Sequence, residues 1–481
     1  MAASLTLLVA ASARAETLAD AIALAYQSNP TLQGQRASLR ALDETYVQAE
    51  AGYRPTGTVT ATVTNDRNNA PNSIQSLPGA LQQLVPGGTT TSSAGFQITQ
   101  PIFTGGRVSS QVSAAEASIL AGRETLRGTE QSLLQNVVQA YVDVRRDQQS
   151  VAIAEENLRV LRLQLDESKA RFAVGDITRT DVAQTQASVS GAVAHLAAAQ
   201  AQLANSRAAY ASIVGQNPGD LAPEPSLAKF LPASLDQAFD TAERNSPQIR
   251  GAHFTEESSA AKVAGAKALT RPTLSLEANL GYVGGSFGQA SPFANYSHDL
   301  TAVAVATFPI FTGGTTSSQI RQAAETNNAD RIGIEIARRQ VLLAVSQAWN
   351  QLMGARASLT ANEEQVKAAN IAFEGSRQEA RVGLRTTLDV LISEQNLASA
   401  QIALVTSRHD EYVAGANLLA ATGSLFTDQL TSGVPIYDPK VNLDHVRHAY
   451  PWAPWAPAVS KIDHLGSPGI EQLPEPEPAG R

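Results

Sequence analysis

The chain has 481 residues, enough for about three ordinary domains, so length excludes little. Composition says more: aromatics are only 5% and charged residues 17%, while Ala, Ser, Gln and Thr crowd long stretches, which suits thin, close-packed helices better than a wide core. A net charge of -8 without a Lys/Arg-dense face excludes nucleic acid as a partner, and the absence of cysteine removes disulfides, thiolate metal sites, cysteine nucleophiles and a lipidated cysteine. The seven histidines are scattered and none has zinc-ligand spacing, so neither metal nor cofactor is expected.

In chain order, the first element is an apolar run, Leu5 to Ala11, followed by Ala13-Arg14-Ala15. This small-x-small pattern marks residues 1–15 as a signal peptide cut before Glu16, although the usual basic start is missing. Beyond it no run approaches the roughly 20 apolar residues of a spanning helix. Entry into a membrane would therefore be by β-strands.

The rest of the chain repeats itself. Thr17-Leu18-Ala19-Asp20-Ala21 aligns with Ser234-Leu235-Asp236-Gln237-Ala238, and Tyr53-Arg54-Pro55 with Thr270-Arg271-Pro272, at an offset of 217 (17 to 234, 53 to 270). Pro101-Ile102-Phe103-Thr104-Gly105-Gly106 aligns with Pro309-Ile310-Phe311-Thr312-Gly313-Gly314 at 208 (101 to 309), so the second copy is nine residues shorter in between. The expected copies are 16–215 and 233–423, joined by a Pro-rich linker, 216–232, and followed by a partly disordered tail, 424–481.

Each copy reads as a short helix, a longer helix, two strands around a polar loop, and two long helices. Leu18, Ile22 and Ala25 have helical spacing that stops at Asn29-Pro30, and a second helix from Thr31 ends near Tyr53 against Pro55. The period then becomes two: Leu274, Leu276, Ala278, Leu280 and Tyr282 alternate with Ser275, Glu277, Asn279 and Gly281, and Val59, Ala61 and Val63 alternate with threonines. Partner strands are expected at Ala94–Phe103 and Leu300–Phe311, across polar loops near 65–92 and 284–297. Such strands fit a lipid-facing barrel, with Glu277 and Asn279 toward its lumen.

No proline interrupts Arg107–Phe172, which as one helix would span roughly 100 Å. Apolar residues recur every seven positions at Val137, Val144, Val151, Leu158, Leu165 and Phe172, and again at Val345, Leu352, Leu359, Val366, Phe373 and Ala380. The return helices repeat the period at Val182, Val189, Leu196, Leu203 and Tyr210, and at Val390, Leu397, Leu404 and Leu418, broken by Glu411. Sustained heptads predict antiparallel coiled-coil hairpins turning at Gly175 and Gly383.

These residues resemble the TolC-type outer-membrane factors of efflux pumps and type I secretion systems, over nearly the whole mature chain to about Gly423. The resemblance rests on Pro-Ile-Phe-Thr-Gly-Gly at both strand-to-helix junctions, Phe172-Ala173-Val174-Gly175 and Arg381-Val382-Gly383 at the turns, and Thr-Leu-Asp-Val-Leu from Thr387 to Leu391. It implies an α+β membrane protein: a homotrimer whose four strands per chain share a 12-stranded outer-membrane β-barrel, continued by a coiled-coil α-barrel in the periplasm. Physics points the same way, because four strands cannot close in lipid without unpaired edges. Eight strands would be filled by side chains, whereas twelve leave room for water.

At the turns, Thr178 and Asp181, like Thr386 and Asp389, have the spacing of a helix cap. The resemblance implies a second role for Asp389, as a ring aspartate of the periplasmic gate, with Arg385 and Arg408 as its arginine links. The position of a second ring aspartate holds Ile392, and that of the turn tyrosine holds Ala380, so this gate is expected to be less acidic and less firmly latched. Gly105, Gly106, Gly313 and Gly314 lack the lysine of a phosphate loop and are read as sharp exits from strand to helix. No catalytic constellation is present. The function implied is an export duct that docks on a periplasmic adaptor and an inner-membrane transporter, ABC-type or proton-driven; the alternatives are a non-conducting coiled-coil envelope scaffold and, more remotely, an envelope hydrolase.

Overall fold

The computed structural model describes residues 15–66, 89–287, 296–431, 435–448 and 453–465. The signal-peptide segment and most of both strand-connecting loops lie outside these residues. Helix α1 (Leu18–Ser28) is opened by a capping box between Thr17 and Asp20. Asn29 closes it and starts α2 (Pro30–Glu50), its Oδ1 accepting from the amides of Thr31 and Leu32. A 3-10 turn, Ala51–Tyr53, leads to β1 (Thr56–Asp66) and β2 (Thr89–Phe103). The long hairpin α3 (Arg107–Ala173) and α4 (Arg179–Val214) completes the first copy. The second has α5 (Leu235–Asn245), α6 (Pro247–Ala268), β3 (Thr273–Phe287), β4 (Tyr296–Thr307), α7 (Thr315–Arg381) and α8 (Thr387–Ala421). Three short helices follow: α9 (Thr427–Leu430), α10 (Pro439–His448) and α11 (Ala456–His464).

The chain divides into two compact units. One comprises Leu39–Gly122, Ala252–Ile334 and Asp438–Arg481 and holds the sheet, a single antiparallel meander of order β1-β2-β3-β4. Its register builds rows of like character across all four strands. Val59, Phe96, Leu280 and Leu300 form one row on the apolar face; Thr58, Gln97, Asn279 and Thr301 form the adjacent row on the other. The apolar face is bare, with Val59 75% and Leu300 73% exposed. The expected strand phase is the one observed, which places Glu277 and Asn279 on the polar face.

One expectation fails here. Strand β4 stops at Thr307, not at Phe311: Pro309 offers no amide and, among the described residues, β4 pairs with β3 alone. Strand β2 runs on through Pro101 because β3 flanks it there, at the cost of a register slip between Pro101 and Phe103. Within the tail, two of the described stretches are helical, α10 and α11. Val446, Leu443 and Val459 supply enough buried apolar area for α10 and α11 to fold.

The other unit comprises residues up to Ser38, Arg123–Gly251 and Glu335–Tyr437. Its core is the heptad seam: Val137, Val144, Leu158, Leu165, Val189, Tyr210, Val345, Leu352, Phe373, Val390 and Leu418 are all buried. Phe172 alone among the predicted seam residues is exposed, because the seam ends as the hairpin turns. The linker is tied to this unit where the Tyr141 hydroxyl donates to the carbonyls of Ala222 and Glu16, 2.7 and 2.9 Å away.

Candidate functional site

The two hairpin turns are built alike. In the first, Gly175 has φ 81° and its amide donates to the carbonyl of Phe172, while Asp176 donates back to Arg171; in the second, Gly383 has φ 79°, donating to Ala380, while Leu384 donates to Glu379. This pairing of bonds needs a left-handed residue after the helix, which glycine adopts without a Cβ penalty. Three residues after each glycine, Thr178 and Thr386 cap the return helices. Each hydroxyl donates to its aspartate (Asp181 or Asp389) at 2.7 Å, and each aspartate amide donates back to the threonine, at 3.3 and 3.2 Å. The Thr178 and Thr386 hydrogen bonds hold the Asp181 and Asp389 carboxyls below the usual carboxylate range.

Charge separates the turns. Arg171 Nε donates to Asp176 at 2.6 Å in the first, whereas Arg385 Nε donates to Glu379 at 2.8 Å in the second. Arg385 also lies near enough to Asp389 to favour its ionised form, so two of the expected gate residues come together. Arg408 does not join them within one chain. It sits 19 positions along α8 from Asp389, about 28 Å on a rigid helix, and pairs with Glu363 at 3.7 Å. Ile392 is 48% exposed beside the turn, an apolar surface where the resemblance places a carboxylate.

Sequence reasoning missed two ionisable sites on α8. Glu394, one turn past Asp389, is 5% exposed and neither carboxylate oxygen has a hydrogen-bond partner. Burial raises its pKa to about 7, with Glu156 adding to the rise and Arg377 opposing it. His409 lies between Asp143, 2.8 Å from Nε2, and Asp410, 2.8 Å from Nδ1; burial works against the imidazolium, but these hydrogen bonds prevail and its pKa is raised. The only signal for either was a polar residue beside an apolar heptad.

At the strand-to-helix junctions all four glycines have positive φ: Gly105 71°, Gly106 85°, Gly313 60° and Gly314 84°. In the first copy this geometry turns a row of amides onto one carboxylate, Asp463 of α11. Asp463 is fully buried and accepts from Thr104 N (2.7 Å), Thr104 Oγ1 (2.9 Å), Gly106 N (3.1 Å), Ser109 N (3.3 Å) and the Tyr53 hydroxyl (3.4 Å). A carboxylate at the start of a 67-residue helix meets both the free amides and the positive end of the helix dipole. Nothing in the sequence of a proline-rich tail singled out this aspartate.

The sequence pattern of the family described as outer membrane efflux protein matches residues 21–216 and 238–424. The chain is 36% identical to the outer membrane efflux protein BepC of Brucella suis biovar 1, over 92% of this chain and 93% of that one. It is 26% identical to the outer membrane protein TolC of Vibrio cholerae serotype O1, over 85% and 91%. Its fold matches the crystal structure of CusC, a protein described as forming a transmembrane channel, with a TM-score of 0.72 at 19% identity over 84% of this chain and 92% of that one. A duplicated sheet-and-hairpin chain, matched twice by one family pattern, thus belongs to the outer membrane efflux protein family and is a TolC-type protein of the outer membrane.

Proposed function

We propose that three copies of this chain pool their strands into one 12-stranded barrel and their hairpins into a helical barrel, forming the exit duct of a tripartite export system. The observation that carries this reading is the sheet. One face is exposed and apolar, the other is polar, and the β1 and β4 edges have no strand partner among the described residues. Unpaired edge amides cost several kcal/mol each in lipid, so closure by siblings satisfies both face and edges at once. The leader, cut before Glu16, would deliver the chain across the inner membrane; the hairpin turns would dock on a periplasmic adaptor and, through it, on an ABC-type or proton-driven transporter.

Energy comes from that transporter, since the duct is a passive conduit. In the trimer three Asp389 carboxylates would face one axis, concentrating cations and repelling anions. The test is single-channel recording in planar bilayers. The natural chain should conduct, prefer cations and be blocked by divalent ions, and Asp389→Ala should lose much of that preference and block. A protein with no conductance would fail the duct; an unchanged Asp389→Ala would fail only the gate.

A further inference from the structure

The tail helix α11 divides into three stripes. Ala456, Val459, Ser460 and Asp463, at helical spacing, face the protein, buried or half-buried. Ala458, Ile462 and Leu465 form a second stripe, exposed and apolar, with Ile462 42% and Leu465 88% accessible. Lys461 and His464 form a third, also exposed and basic, beside the second. The helix is fixed at one place on the unit that holds the sheet. Asp463 is seated in the Thr104–Gly106 junction, and the Trp455 indole just before the helix donates to Gln100 Oε1 at 2.9 Å.

Gln100 gives this position its meaning. It lies on β2 in phase with Phe96 and Ile98, so it belongs to the bare apolar face of the sheet, at the end where strand turns to helix. Its own amide is held by the carbonyls of Tyr53 and Pro101, at 2.9 and 2.6 Å. Trp455, 46% exposed, therefore adds to the apolar face just beyond Thr56–Thr99, the last β1–β2 pair, and Ile462 and Leu465 are the exposed apolar residues of the helix that follows it. Indole at the edge of an apolar band, with basic side chains on the next stripe, is the arrangement that bilayer interfaces select: ring among the glycerol esters, basic groups among the phosphates.

We infer that α11 is an interfacial anchor, which rests Trp455, Ile462 and Leu465 in the periplasmic leaflet of the outer membrane and turns Lys461 and His464 to its phospholipid head groups. This rests on the reading of the apolar sheet face as lipid-facing. The anchor sets the height of the strand-to-helix junction in the bilayer, because Asp463 couples α11 to that junction.

The test uses the full chain in vesicles of phosphatidylethanolamine and phosphatidylglycerol whose acyl chains carry bromine near the glycerol ester. Trp349→Phe with Trp452→Phe leaves Trp455 as the sole indole, and its emission should lose most of its intensity against unbrominated vesicles. In a chain without other tryptophan, Phe96→Trp reports on the sheet face separately. Quenching at position 96 but not at Trp455 overturns the anchor and leaves the duct standing; quenching at neither overturns both. Trp455 shielded from aqueous acrylamide yet unquenched by bromine would mean that protein covers it, which also overturns the anchor. Should the doubly substituted chain fail to assemble, hydrogen exchange of residues 456–465 in the natural protein decides: slower exchange in lipid nanodiscs than in detergent supports the anchor, and equal rates overturn it.

Discussion

The two strand-to-helix junctions share the sequence Pro-Ile-Phe-Thr-Gly-Gly and the positive φ of both glycines, yet their surroundings differ. The first is closed. Asp463 fills its row of amides, Arg271 Nη1 donates to the Gly105 carbonyl at 3.1 Å, and Val108 packs with Tyr53 and Val459. The second is open: Phe311 is 90% and Ile310 89% exposed, and a Cβ placed on Gly313 would meet nothing within 4 Å. Duplication copies the local conformation, which is encoded by two glycines and a threonine. It does not copy the environment, because one chain has only one tail and its sheet has only two interior strands.

The largest effect that separates the junctions should come from Asp463→Ala. Removing this carboxylate leaves several buried donors unmatched, and the loss in unfolding free energy is expected at about 3 kcal/mol or more. Asp463→Asn keeps part of the geometry and should lose less. Thr312→Ala, at the open junction, should change little in comparison. A large loss there would show that a sibling chain fills the second junction in the assembled protein.

Glycine substitution sharpens the same contrast at smaller scale. Gly105→Ala combines a positive φ with a Cβ 2.8 Å from that of Arg271 and 3.2 Å from the Ala268 carbonyl oxygen, so about 3 kcal/mol is expected. Gly313→Ala carries the φ strain alone, about 1 kcal/mol. Thermal or denaturant midpoints in detergent measure both, and equal losses would break the comparison.

Much of this was legible in the sequence, for physical reasons that differ by element. The seam from Val137 to Leu165 repeats one requirement at every seventh residue, and the period-two alternation of Leu274 to Tyr282 does the same for a strand, so each residue confirms its neighbours. Asp463, Glu394 and His409 are single positions. Their importance arises from what lies across a tertiary contact, and no period announces it. Arg408 differs again: the resemblance implies a gate role for it, and within one chain it lies far along α8 from Asp389 and pairs with Glu363, so a link to Asp389 would have to run between chains. The end of β4 was misplaced because a proline at the end of an interior strand and one beyond an edge strand look identical in sequence.

The hairpins offer a second comparison. Glu394 is buried without a partner, whereas the aligned residue of the first copy, Gln186, is exposed. Because folding raises the Glu394 pKa from 4.5 to about 7, the folded state holds this proton more tightly. Its contribution is therefore complete below about pH 4.5 and is lost as pH rises through about 7. His409, also raised, adds a slope of the same sign above its usual range. Unfolding midpoints should fall between about pH 5 and pH 8, corresponding to about 2 kcal/mol, and Glu394→Gln should remove most of that fall. A slope unchanged in Glu394→Gln would assign it to His409 and its aspartates instead.

The smallest effect is expected where the copies agree. Thr178 and Thr386 adopt almost the same extended conformation, φ −87° and ψ 162° against φ −84° and ψ 158°, and each exchanges the same hydrogen bonds with the aspartate three residues on. A capping threonine replaced by alanine costs about 1 kcal/mol, so Thr178→Ala and Thr386→Ala should lose similar amounts. Equality would mean that the cap is the whole of each threonine's work. A markedly larger loss at Thr386, seen in the assembled protein, would instead place a further partner at the second turn, as expected of a turn that meets its siblings around a common axis.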